Sequence, residues 1–145
     1  MIDLCTLGTG GTMPLPDRAL ASLYVRVGGR AVLVDCGEGT QIGIQRLSWG
    51  IQCIDAILLT HYHADHCSGL PGMLLAITKA GRTAPLHIYG PIGLERVVAG
   101  LRVIAPSLSY PIVLHEIIDD YSPFAAIGLT ITPFPLRHEM PCIGY

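Results

Sequence analysis

The chain has 145 residues, with 9 basic and 11 acidic side chains, a net charge of −2 and a pI near 6.3. That balance argues against a broad nucleic-acid-binding surface, although metal ions can supply positive charge locally at a site. No apolar run is long enough to span a bilayer, and no charged start is followed by the apolar stretch of a signal peptide. A soluble, unprocessed, cytoplasmic protein without a membrane partner is therefore expected.

Five cysteines, with no CxxC pair, fit reduced thiols better than a disulfide framework. The composition is unusual: 14% of residues are charged and 50% hydrophobic, where about 25% charged is ordinary. Such a chain is either deeply buried or packs a large apolar face against something else.

In chain order, residues 1–7 read as an opening strand, ended by Gly8-Thr9-Gly10-Gly11-Thr12. The pattern is not GxGxxG and reads as a glycine-rich turn. Pro14-Leu15-Pro16-Asp17-Arg18 continues that loop. Residues 22–27 and 31–35 form an expected hairpin turned by Gly28-Gly29. Asp35-Cys36-Gly37-Glu38-Gly39-Thr40-Gln41 follows, with Thr40 as the expected N-cap of a short helix through Leu47, closed by Gly50. Asp35 and Glu38 are candidates for orienting a ligating imidazole, with a plain turn and cap as the alternative.

Residues 54–60 read as a buried strand, and directly after it comes the densest chemistry in the chain: His61-Tyr62-His63-Ala64-Asp65-His66. Imidazole and carboxylate are the ligands of borderline divalent metals, zinc above all. His61 and His63, two apart in an extended segment, point the same way and can share one ion. Asp65 and His66 start the next turn and can reach a second. In open α/β sheets function collects at the carboxyl ends of the strands, where this loop lies.

Leu70, Met73, Leu74 and Ile77 recur at helical spacing before Gly81, with Met73 read as core. Residues 85–90 form a strand, whose His87 is read as a packed or exposed strand histidine. Leu94, Val97, Val98 and Leu101 mark a one-faced helix starting near Pro91. Residues 111–118 and 127–134 read as strands on either side of Asp119-Asp120, with His115 and Glu116 on a solvent face. His138 then follows a strand, as the first histidine cluster does. The alternation of strand and helix predicts a layered α/β domain.

Taken together, Leu7-Gly8-Thr9-Gly10-Gly11, Asp35 to Gln41, Thr60 to His66, Gly69-Leu70-Pro71-Gly72 and Pro135-Leu136-Arg137-His138 with Gly144-Tyr145 resemble the metallo-β-lactamase superfamily. Within it they resemble the ribonuclease Z branch, the tRNA 3′-processing endonucleases. HxHxDH alone carries only the superfamily; the Asp35–Gln41 and Gly69–Gly72 segments narrow it.

The resemblance implies an αββα sandwich and a metal-dependent hydrolase cutting precursor tRNA or another phosphodiester. His61, His63 and His138 would hold one zinc, Asp65 and His66 a second. A metal-activated water would be the nucleophile, with Asp65 also accepting its proton. Other hydrolases of the same fold, acting on esters, thioesters or lactams, are the competing enzyme class. An inactive half-domain that serves in assembly is the non-enzyme alternative.

Two departures stand out. Ala19 occupies a position where the family pattern has Asn. Family members also run to about twice this length for a single domain. Their second half carries the Asp that bridges both ions and the last His. Residues 1–145 are therefore expected to form one domain that is only the amino-terminal αβ half, as a homodimer or paired with a complementary half. An uncovered sheet face would then explain the apolar composition.

Overall fold

The computed structural model describes residues 1–145. β1 (Ile2–Gly8) pairs antiparallel with β2 (Ser22–Val27), which turns into β3 (Arg30–Val34). Gly28 and Gly29 make that turn with φ of 56° and 81°, a conformation in which a two-residue loop matches the strand twist. α1 (Thr40–Leu47) leads to β4 (Ile54–Leu58), then α2 (Ala64–Cys67) and α3 (Leu70–Lys79). β5 (Leu86–Pro91), α4 (Leu94–Arg102) and β6 (Ile112–Ile117) complete the main layer.

The six strands lie in the order β1-β2-β3-β4-β5-β6, with β3 to β6 parallel. This order explains where the helices go. Parallel crossovers are right-handed, and a strand order that never reverses sends every crossover to the same side. All the longer helices accordingly bury their apolar residues in one core: Ile44 from α1, Met73 and Ile77 from α3, Leu94 and Val98 from α4. They meet Tyr24, Leu33, Ile57 and Ile88 from the sheet. The α/β expectation holds, with one helical layer on one sheet.

The other sheet face is sparsely covered. β7 (Phe124–Ala126) and β8 (Leu129–Ile131) form a hairpin that packs Ile127 and Phe124 over Val32, Ala56 and Leu58, with Tyr145 beside them. Toward the sheet edges the same face is open. Ile2 and Leu4, in register with Val27 and Val25, are 55% and 64% exposed, and Val113 is 36% exposed. These residues account for part of the apolar composition.

Four details differ from the sequence reading. Gly39, with φ of 91°, is the N-cap of α1, while the Thr40 hydroxyl donates to the Gly37 carbonyl at 2.7 Å from inside the first turn. The helix ends on Ser48 in the left-handed region, two residues before Gly50. Residues 127–134 are not one strand: Ile127 and Gly128, both with positive φ, turn the β7–β8 hairpin. His115 is half-buried instead of solvent-facing, stacked on Tyr89 with centroids 4.2 Å apart. β9 (Phe134–Leu136) and β10 (Cys142–Gly144) form a last hairpin. No helix is long and apolar enough to cross a membrane.

Met73 is fully buried where α3 meets the sheet. Met73→Ala should lower the unfolding free energy by about 2–5 kcal/mol in denaturant melts, and a loss below about 1 kcal/mol would contradict that packing.

Candidate metal centre

The site is built at the carboxyl ends of β3 and β4, and Asp35 ties them together. It follows the last residue of β3, is buried, and takes φ of 58°, a region that Asp tolerates better than most residues. Its Oδ1 accepts the Thr60 backbone N–H at 2.8 Å. Its Oδ2 accepts the Thr60 hydroxyl at 2.9 Å and the His66 Nδ1–H at 2.7 Å. One carboxylate thus holds both ends of the HxHxDH loop.

The backbone reinforces this clamp. Cys36 N–H donates to the His66 carbonyl at 2.8 Å, and Gly69 N–H donates to the Cys36 carbonyl at 2.9 Å. The approach is so close that a Cβ on Gly69 would collide with the Gly37 carbonyl, and one on Gly37 with the Asp65 carbonyl. These glycines are therefore required by contact between the two loops.

His138 arrives from far along the chain. Ile143 N–H in β10 donates to the Thr60 carbonyl at 2.9 Å, and the Tyr145 hydroxyl donates to the Leu59 carbonyl at 3.1 Å. Docking β10 on the exit of β4 swings the turn after β9 over the histidine loop. His61, His63 and His138 each offer a nitrogen, and these nitrogens lie within 4.8 Å of one another. His61 is buried, His63 half-buried and His138 exposed.

Hydrogen bonds decide which nitrogen three of the four rings present. The His61 Nδ1–H meets the Thr60 hydroxyl at 3.0 Å, whose own hydrogen goes to Asp35, so Nε2 is free. His66 likewise commits Nδ1 to Asp35 and keeps Nε2, which lies 3.7 Å from Asp65 Oδ2. His63 makes no ring hydrogen bond, and its Nε2 lies 2.9 Å from the Glu139 carboxylate as an ion-pair contact. His138 is the exception: its Nδ1 accepts the Glu139 N–H at 2.8 Å, which puts the proton of a neutral ring on Nε2. Ligation through that Nε2 requires this contact to be given up.

Charge follows the same layout. The hydrogen bond to Asp35 raises the His66 pKa above its ordinary value. Burial lowers that of His61, and the neighbouring His66 adds to the effect. Asp65 is held below the usual carboxylate range chiefly by the Thr12 backbone N–H, 3.0 Å from its Oδ2.

The structure brings four of the five expected site histidines and carboxylates onto one loop and adds His138 from β9–β10. Of the two carboxylates considered for orienting an imidazole, Asp35 does so, whereas Glu38 is exposed and lines a separate cleft of about 470 Å³ with Arg18 and Arg46. His87 pairs with His115 at 2.8 Å on the sheet and stays outside the cluster. Thr12, Thr60 and Glu139 were not singled out from the sequence. A hydroxyl directly before the first histidine was the only available signal, and for Thr12 and Glu139 there was none.

Asp35→Asn should keep the backbone conformation but return the His66 pKa toward its ordinary value, as followed by NMR titration of the metal-free protein. Because the folded pKa of His66 is raised, the pair's stabilisation is complete below the unfolded histidine pKa. It is lost as pH rises through the folded value. The variant should therefore lose more stability at mildly acid than at mildly alkaline pH; an unshifted His66 or a loss independent of pH would contradict the assignment.

The family model described as Metallo-beta-lactamase superfamily matches residues 16–138. Over its whole length the chain is 49% identical to Ribonuclease Z of Clostridium kluyveri and 48% identical to Ribonuclease Z of Lachnoclostridium phytofermentans, covering 48% of each. Human tRNase Z, short form, superposes with a TM-score of 0.83 at 30% identity, over 99% of this chain and 63% of that one. A diphosphatase from the PhnP family superposes with a TM-score of 0.78 at 26% identity, over 100% of this chain and 62% of that one. The chain spans about half the length of the curated relatives it matches. With the family match covering most of the chain, and with an α/β layer carrying HxHxDH at its carboxyl edge, this chain belongs to the metallo-β-lactamase superfamily.

Proposed function

We propose that the chain carries the metal-binding half of a zinc-dependent phosphodiesterase that acts as a ribonuclease Z, cutting precursor tRNA at its 3′ side. The observation that carries this reading is the convergence of His61, His63 and His138 within 4.8 Å, next to Asp65 and His66. The donor set fits a borderline divalent ion: three imidazoles on one side, a carboxylate and an imidazole on the other. Ions held there would lower the pKa of a water and offset charge on an attacked phosphate. The identities of 49% and 48% to two proteins named Ribonuclease Z support the phosphodiester class over thioesters and lactams.

The chain's own residues divide the work. His61, His63 and His138 hold one ion, with Thr60 fixing the His61 ring. Asp65 and His66 serve the second, with Asp35 fixing His66. Asp65, with its carboxyl held low by Thr12, suits ion binding better than proton acceptance. Two ligands are half a site, and the open sheet face beside β1 and β6 suits a second αβ unit that brings the rest. That unit would be a continuation of the chain, a complementary chain or a second copy. Free thiols at every cysteine suit a cytoplasmic protein.

Without such a unit the chain should bind metal but turn over poorly, the non-enzyme alternative raised by its ligand count. Zinc-loaded protein completed with a second half should hydrolyse a bis-aryl phosphodiester and cleave precursor tRNA, with little action on a thioester or a lactam. Preferential thioester or lactam hydrolysis would overturn the substrate class. Lowering pH should strip the ion at Asp65 and His66 before the one at the three histidines. Asp35 favours the protonated His66, whereas burial disfavours protonation of His61. Zinc content followed against pH should fall in two steps; simultaneous loss would contradict the assignment.

A further inference from the structure

We propose that His87 and His115 form a pH-sensitive latch on the open sheet face. The latch is closed while the pair holds at most one extra proton and is opened by the second, which frees the β7–β8 hairpin. Neither ring belongs to the converging metal ligands. His87 Nδ1 and His115 Nε2 lie 2.8 Å apart in a hydrogen bond. In such a bond one nitrogen carries the hydrogen and the other offers a lone pair. A neutral pair meets that condition, and so does a pair with one extra proton. When both rings are protonated, every ring nitrogen is a donor and two N–H groups face each other across the same gap. The bond is then lost and one ring must turn away.

The rings around the pair carry that movement to the hairpin. Tyr89 and His115 stand opposite each other in β5 and β6, stacked with their planes at 10°. Tyr89 is also stacked on Phe124 of β7, with centroids 4.1 Å apart. β6 is the last strand of the sheet and β5 is interior, so His115 is the ring with room to turn. Turning it away strips Tyr89 of one stacking partner and loosens Phe124, whose hairpin covers Val32, Ala56 and Leu58. The cross-strand neighbours of His87, Ala56 and Val113, are apolar. Glu116 belongs to the opposite face, where its carboxylate accepts the Glu95 backbone N–H. Tyr89 and Tyr145 are ionisable neighbours on this face, and burial raises the pKa of both, so they stay neutral where histidines titrate. The pKa of His115 is lowered, by burial first and then by His87. With that lowered value in the closed form, the latch has its full stability above the ordinary histidine pKa. It loses it as pH falls through the lowered one.

NMR titration of the metal-free chain from about pH 8 to about pH 5 follows the ring signals of His87 and His115, with amide exchange reporting the β7–β8 hairpin. The two rings should titrate in steps separated by more than about one pH unit. Hairpin protection should fall about tenfold or more across the second step, because each unit of displacement changes the closed population about tenfold. His87→Gln offers His115 an amide that can pair with either protonation state, and His115→Phe keeps a ring on Tyr89 without a charge. In both variants hairpin protection should hardly change with pH. A loss as large in either variant as in wild type would overturn the inference, because other titrating groups would then be responsible. So would independent titration of the two rings, or a wild-type hairpin that stays protected throughout. The wild-type titration decides the coupling without any substitution, so the claim is refutable even where one variant folds poorly.

Discussion

The geometry of the site depends on one buried carboxylate. Asp35 accepts the Thr60 N–H, the Thr60 hydroxyl and the His66 Nδ1–H, and so closes a loop of six residues onto the end of β3. Two of these bonds also fix a ring: that of His66 directly, that of His61 through the Thr60 hydroxyl. A carboxylate buried without such donors would cost several kcal/mol, so the burial that isolates Asp35 also enforces the bonds. The strained φ of 58° is the local cost of aiming it.

What places that carboxylate beside the loop is the sheet order. Parallel β3 and β4 bring their carboxyl ends side by side, and the right-handed crossovers keep α1, α3 and α4 on the far face. The same rule leaves the opposite face with only the β7–β8 hairpin and Tyr145 over its centre. One topological constraint therefore yields both the ligand edge and the open apolar surface. The docking of β10 on the Thr60 carbonyl links the two, since it carries His138 to the edge and Tyr145 onto the open face.

Much of this was legible in the sequence because it is periodic or local. The apolar periods marked the helices α3 and α4, Gly28-Gly29 marked the hairpin, and the packed ligand residues marked the loop. His138 was different: alone it is one histidine after a strand, and it joined the cluster only through resemblance, since the contact that delivers it spans the chain from Thr60 to Ile143. Residues 127–134 misled because their β-branched content hides a turn at Ile127, a residue that rarely takes positive φ. Thr40 misled in a milder way, because Gly39 took the cap and the hydroxyl bonded backward to Gly37. Thr12 carries no pattern, and its role comes from loops that meet only when folded.

One ion is proposed to sit among His61, His63 and His138. Anomalous diffraction at the zinc absorption edge, from crystals of the zinc-loaded protein, tests it most directly. The predicted result is a strong peak within coordination distance of nitrogens from all three rings. A peak elsewhere, or a well-ordered site lacking one of the three, would contradict it.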